Sequence, residues 1–223
     1  GEILYRINGG TWETLLEGEN TEEVNKGSVI SFRHSKSILA DGNVGRFYIN
    51  KKCNVYGACP SIIPKVFGEK HMAQQLFNGL FYECDAIVDA SKLELPATTL
   101  ASNCYCDMFH GCTSLVNAPE LPATTLADRC YDSMFYDCKS LTKAPELPAT
   151  TLADRCYDSM FRFCESLNYI KMLATDISAS DCLYDWVYGV ASSGTFVKNK
   201  NATWNVTGDS GVPSGWTVVN DGE

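Results

Sequence analysis

The cysteines are the residues with the most obvious chemical potential in this chain of 223 residues, which carries eleven of them. A thiol becomes a nucleophile or a metal ligand when a neighbouring base or cation lowers its pKa. The placement of these thiols argues for a different role. Cys84, Cys112, Cys138 and Cys164 form one recurring series, and Cys104, Cys130 and Cys156 form a second that Cys182 extends. Thiols that recur at equivalent positions read as small buried hydrophobes. An odd count leaves at least one thiol outside any set of internal disulfides, and Cys104 and Cys106 do not match a CxxC redox or zinc pair.

Other reactive-looking signals fail on context. Gly208-Asp209-Ser210-Gly211 matches the turn around a serine-protease nucleophile, but little sequence separates Ser210 from Glu223, where that family has much of its barrel. None of His34, His71 and His110 stands in the surroundings that a base for that serine requires. Leu-Pro-Ala-Thr-Thr occurs three times in mid-chain, without the glycine and the following apolar stretch of a sorting signal. The histidines do not cluster, and no Asp-rich loop has calcium-ligand spacing. The reading is therefore a protein that is not an enzyme, with no catalytic residue, no metal site and no cofactor.

Composition bounds the partners. A net charge of −9 excludes a general nucleic-acid binder, which needs an excess of Lys and Arg to neutralise phosphates. No apolar run approaches the roughly 20 residues that span a bilayer, so no transmembrane segment is expected. Gly1-Glu2-Ile3-Leu4 does not read as a signal peptide, and a leader removed beforehand is compatible with it.

What must position any functional group is an internal repeat. Residues 118–135 read APELPATTLADRCYDSMF, and residues 144–161 read the same eighteen letters 26 positions later. A looser copy starts at Leu95, another at Ala73 with an offset of 28, and a decayed copy keeps Ala179, Cys182 and Trp186-Val187. Leu126, Cys130, Met134 and Cys138, four apart and flanked by Tyr131 and Phe135, suggest an apolar helical stripe. Thr125, three before Asp128, looks like a capping-box start for that helix. The stretch from Ser140 to Leu147 is too short and too marked by Pro145 for a helix, and reads as a brief strand. A single short strand and short helix cannot bury an apolar face alone, so neighbouring repeats must stack. The expected fold is α/β: a leucine-rich-repeat solenoid over residues 63–193, with β-rich caps at 1–62 and 194–223.

The pattern MFxxCxSLxxAPxLPATTLAxxCYxxMF resembles the BspA-like leucine-rich repeats of surface proteins of Bacteroides and related bacteria. The resemblance covers the repeat region, about half of the chain. It implies an exported protein at the outer cell surface or outside the cell, engaged in adhesion. Asn201 and Asn205 stand in glycosylation sequons, which carry little weight in a bacterial protein.

The ends of the chain show no repeat. Residues 2–7 alternate, then meet the Asn8-Gly9-Gly10 turn signal and a second run at 11–15. Ser28–Phe32 and Arg46–Ile49 read as further strands, as do 194–197, 203–206 and 215–219. Aligning the repeats puts Asp89, Asn117, Lys143 and Tyr169 in one outward row. A second row holds Ser91, Pro119, Pro145 and Lys171, with Glu120 and Glu146 at its edge. These mixed-charge rows are the candidate ligand-binding residues, suited to a protein or glycan on a host or neighbouring cell. The alternative is a structural spacer or assembly module of a larger surface or virion structure, which the near-identity of the two central repeats favours.

Overall fold

A computed structural model of the chain describes residues 3–15, 21, 25, 28–34, 49, 52–58 and 74–223. It has two compact units, Gly1–Ala40 and Asp41–Glu223. In the first, β1 (Ile3–Ile7) lies between β2 (Glu13–Leu15) and β3 (Ile30–His34), antiparallel to both. Asn8 and Gly9, with φ of 49° and 78°, make the turn that leads from β1 toward β2. Positive φ at both positions is what Asn-Gly supplies cheaply. The Tyr5 hydroxyl donates to Glu13 Oε2 at 3.0 Å. The expected strand at 46–49, apart from Ile49, and the residues His71 and Cys59 lie outside the described residues, as does the boundary near residue 62.

The second unit overturns the expected leucine-rich-repeat solenoid of helices and strands. Its described residues contain no helix, only five short strands in two small sheets, with isolated bridges between. β4 (Cys53–Ala58) pairs in parallel with β5 (Ile87–Glu94). β6 (Tyr169–Met172), β7 (Thr195–Lys198) and β8 (Thr217–Asn220) form a parallel sheet in that order. Residues 203–206, expected as a strand, are irregular apart from their last contacts with the turn at 207–212.

In place of the expected helix, the chain makes a run of four-residue turns. In residues 127–138, the N–H groups of Cys130, Met134 and Cys138 each bond the carbonyl three residues back. Arg129, Ser133 and Asp137, the third residue of each turn, have φ of 52°, 53° and 58°. That is the left-handed conformation a type II turn needs at its third position. Thr125 therefore caps no helix; it is bridged to Thr99 of the preceding repeat. The alternate amides point to the next repeat. Arg129, Tyr131, Ser133, Phe135 and Asp137 donate to the carbonyls of Asp154, Cys156, Asp158, Met160 and Arg162 at 2.8–3.1 Å. The turn runs starting at 75, 103 and 155 do the same. Each repeat is thus tied to its neighbour through backbone bonds, which a helix would have kept for itself.

The side chains follow a rhythm of two inward and two outward. Cys130-Tyr131, Met134-Phe135 and Cys138 are buried, while Asp132-Ser133 and Tyr136-Asp137 are partly exposed. Equivalent residues then stack. Phe77, Tyr105, Tyr131 and Tyr157 form one column with ring centroids 5.7–6.0 Å apart. Phe81, Phe109, Phe135 and Phe161 form a second at 5.4–5.7 Å. Trp186, fully buried, sits at the end of both columns and donates its indole N–H to Gly211 O at 2.8 Å. Each aromatic pair adds about 0.5–1.5 kcal/mol beyond the area it buries.

Candidate ligand groove

The thiols stand in columns inside the second unit. Cys112, Cys138 and Cys164 donate Sγ to the carbonyls of Phe81, Phe109 and Phe135 at 3.0–3.2 Å, each reaching back one repeat. In the other series, burial pushes the Cys104 and Cys156 thiols up to about 12, and raises Cys130 well above the usual thiol range. These environments hold thiols in their protonated, unreactive form. None of these cysteines is in a disulfide.

The remaining polar groups that attract notice in the sequence have structural partners. Ser210 Oγ accepts the N–H of Asp185 at 3.0 Å, and Asp209 O accepts that of Val187, so the Gly-Asp-Ser-Gly turn is bonded into the last turn run. His110 is stacked between Tyr82 and Tyr136, with ring centroids at 4.6 and 4.4 Å, and its Nδ1 lies 3.1 Å from Asp107 Oδ1. Among the described residues no three His, Cys, Asp or Glu side chains are grouped to hold a metal.

Asp132 carries a charge that pH can remove. Its carboxyl is pushed up to about 6, chiefly by burial, with the charges of Asp158 and Asp107 adding to the shift against the Ser133 hydroxyl bond. The folded state therefore holds this proton more tightly than the unfolded chain, whose carboxyl titrates near 4. Its charge opposes folding in full above pH about 6, and that opposition is removed as pH falls toward about 4. Asp132→Asn is expected to raise the urea midpoint at pH 7 and leave it little changed at pH 4. Equal effects at both pH values would refute the assignment.

The candidate ligand residues converge on one open groove of about 790 Å³, walled by two successive proline-containing segments, 116–122 and 142–148. Asn117, Glu120, Lys143, Glu146, Tyr169 and Lys171 all line it. Asp89 does not line the groove; it is bridged to Asn117 and accepts the N–H of Ser91 at 2.8 Å. That bond holds its carboxyl below the usual range. Lys143 Nζ lies over the Tyr169 ring, 5.0 Å from its centroid. Lys171 Nζ bonds Asp221 Oδ1 at 3.0 Å and Glu146 Oε2 at 3.2 Å, and both carboxylates raise its pKa. No family model, curated protein or solved structure matches the chain.

Alignment of the repeats found seven of the groove's polar residues, Ser91 among them, because equivalent positions of stacked repeats become neighbours. It missed part of the apolar wall, Val116, Pro122 and Pro148. The four prolines of the two walls, which repeat at Ala-Pro-Glu-Leu-Pro, were the available signal.

Proposed function

We infer that the chain is a non-catalytic binding protein of the cell exterior, holding its ligand in the groove between the two central repeats. The observation that carries this reading is the groove itself, whose volume lies in the roughly 300–1,000 Å³ range of ligand sites. Its lining mixes apolar area, an exposed Lys beside an aromatic ring and two carboxylates, a combination that suits recognition. The buried, protonated thiols and the partnered Ser210 support a role without chemistry. The resemblance of the repeat pattern to BspA-like proteins supports display at the surface. Among the described residues no helix is long and apolar enough to cross a membrane.

A second reading, a spacer in a larger assembly, draws support from residues 118–135 and 144–161 being identical, since a surface tuned to one ligand tends to vary between repeats. An array of immobilised glycans and a panel of extracellular proteins separates the two. The binding reading expects saturable binding that Tyr169→Ala weakens roughly tenfold or more, as for an aromatic anchor. The spacer reading expects none.

A further inference from the structure

The ladder between repeats is interrupted at the groove. No backbone hydrogen bond joins residues 116–126 to residues 142–152, although the turn runs that follow are bonded from Arg129 to Asp154 onward. The next pair of repeats is laced on the same side. Ala144 and Leu147 donate to Tyr169 O and Lys171 O at 3.0 Å, and Leu173 donates to Leu147 O at 3.0 Å.

Proline accounts for the difference. Pro119 and Pro122 face the equivalents Pro145 and Pro148, so each wall has lost two donors and two ladder positions. Tyr169–Met172, which contains no proline, restores the pairing on the far side. The consequence falls on residues 118–123, which make no backbone hydrogen bond with any of the described residues. Ala118, Glu120, Leu121 and Ala123 carry unused amides, and the whole segment carries unused carbonyls. Leu121 and Ala123 are 3% and 1% exposed, the places where an unpaired backbone group is least tolerable.

The geometry points to an extended polypeptide segment as the ligand of this groove, laid along residues 118–123 and read chiefly through its main chain. A glycan offers hydroxyls without the regular alternation of donors and acceptors that an extended backbone presents. Charge fixes the register. Among the described residues, neither Glu120 nor Lys143 has an ion-pair partner, whereas Glu146 is held by Lys171. Lys143 is the repeat equivalent of Asn117, three residues before Glu120, so the two charges lie roughly 10 Å apart along extended chain. The matching segment carries an acidic and a basic side chain about three residues apart.

This inference rests on the groove being the binding site, and the test keeps the two separable. The probes are blocked octapeptides with one Asp and one Lys fixed three positions apart in both orders, a control set with Ser in place of both, and copies with alternate amides N-methylated. Fluorescence anisotropy should show the charged set binding at least about tenfold tighter than the Ser set, and N-methylation should weaken it by a similar factor. The double variant Glu120→Lys with Lys143→Glu should reverse the preferred order of the charges. Both residues are exposed, and an unchanged far-UV spectrum confirms folding. N-methylated peptides binding as well as their parents would overturn main-chain reading. Peptides failing while an arrayed glycan binds in a Tyr169-dependent way overturns the peptide and leaves the binding function standing. Failure of both peptides and arrays overturns both.

Discussion

Trp186→Ala is expected to lower the stability of the second unit by about 3–5 kcal/mol, the range for emptying a large buried aromatic site. The indole terminates both internal columns, against Tyr157 on one and Phe161 on the other. It also packs edge-on to Phe196 of β7 at 6.3 Å and holds Gly211 through its N–H. Removal would leave Gly211 O without its indole partner and take away the aromatic contact between the columns and Phe196 of the parallel sheet. Urea unfolding monitored by far-UV circular dichroism measures the effect. A midpoint shift equivalent to less than about 1 kcal/mol, the level of an ordinary substitution, would show that the columns do not depend on this closure.

The second large effect tests the backbone itself. Ser133 has φ of 53° at the third position of its turn. A β-branched side chain is poorly tolerated in that region, and the left-handed conformation costs an ordinary residue roughly 1–2 kcal/mol. Ser133→Val is therefore expected to destabilise by about that amount relative to Ser133→Gly, which has no Cβ to strain. Both variants lose the hydroxyl bond to Asp132, so the comparison isolates the backbone. A helix predicts the opposite order, because glycine is the poorer helix former by a few tenths of a kcal/mol. Thermal unfolding of the two variants decides between them by sign alone.

That sign is also where the sequence misled. The period of 26 and the stacking of equivalent residues were legible, because identical letters at Ala118–Phe135 and Ala144–Phe161 leave little else to do with them. The local form was not. A stripe at Leu126, Cys130, Met134 and Cys138 resembles one helical face, yet a strict spacing of four drifts about 40° per step on a helix with roughly 3.6 residues per turn. Over three steps the stripe leaves its face. The paired pattern, two apolar residues then two polar, keeps a strict period of four, which fits turns of four. Asn103, Asp107 and Gly111 at the left-handed positions were a second signal, since these residues favour positive φ. In the central repeats Arg and Ser hold the first two of these positions, with Asp137 in one and Phe163 in the other at the third, and there the signal is weak.

For the groove, the outward residues followed from alignment, but the opening between them did not. Alignment treats every pair of neighbouring repeats alike. Residues 118–123 bond neither neighbouring repeat through the backbone, whereas 144–149 is laced to Tyr169–Leu173, and the contrast is visible once the hydrogen bonds are compared pair by pair. Asp89 shows the limit of reading a row as a surface: its carboxylate is turned to the amide of Ser91.

The alternation of amides in the turn run has a consequence for how such a protein changes length. Every repeat offers the same donors on one side and the same carbonyls on the other, so a further copy inserts without altering the bonds of its neighbours. Each added copy bearing Ala-Pro-Glu-Leu-Pro would also create another proline-on-proline interval, and with it another groove. Valency would then scale with gene duplication, and a tandem ligand would gain avidity from a longer chain with no change in any single contact.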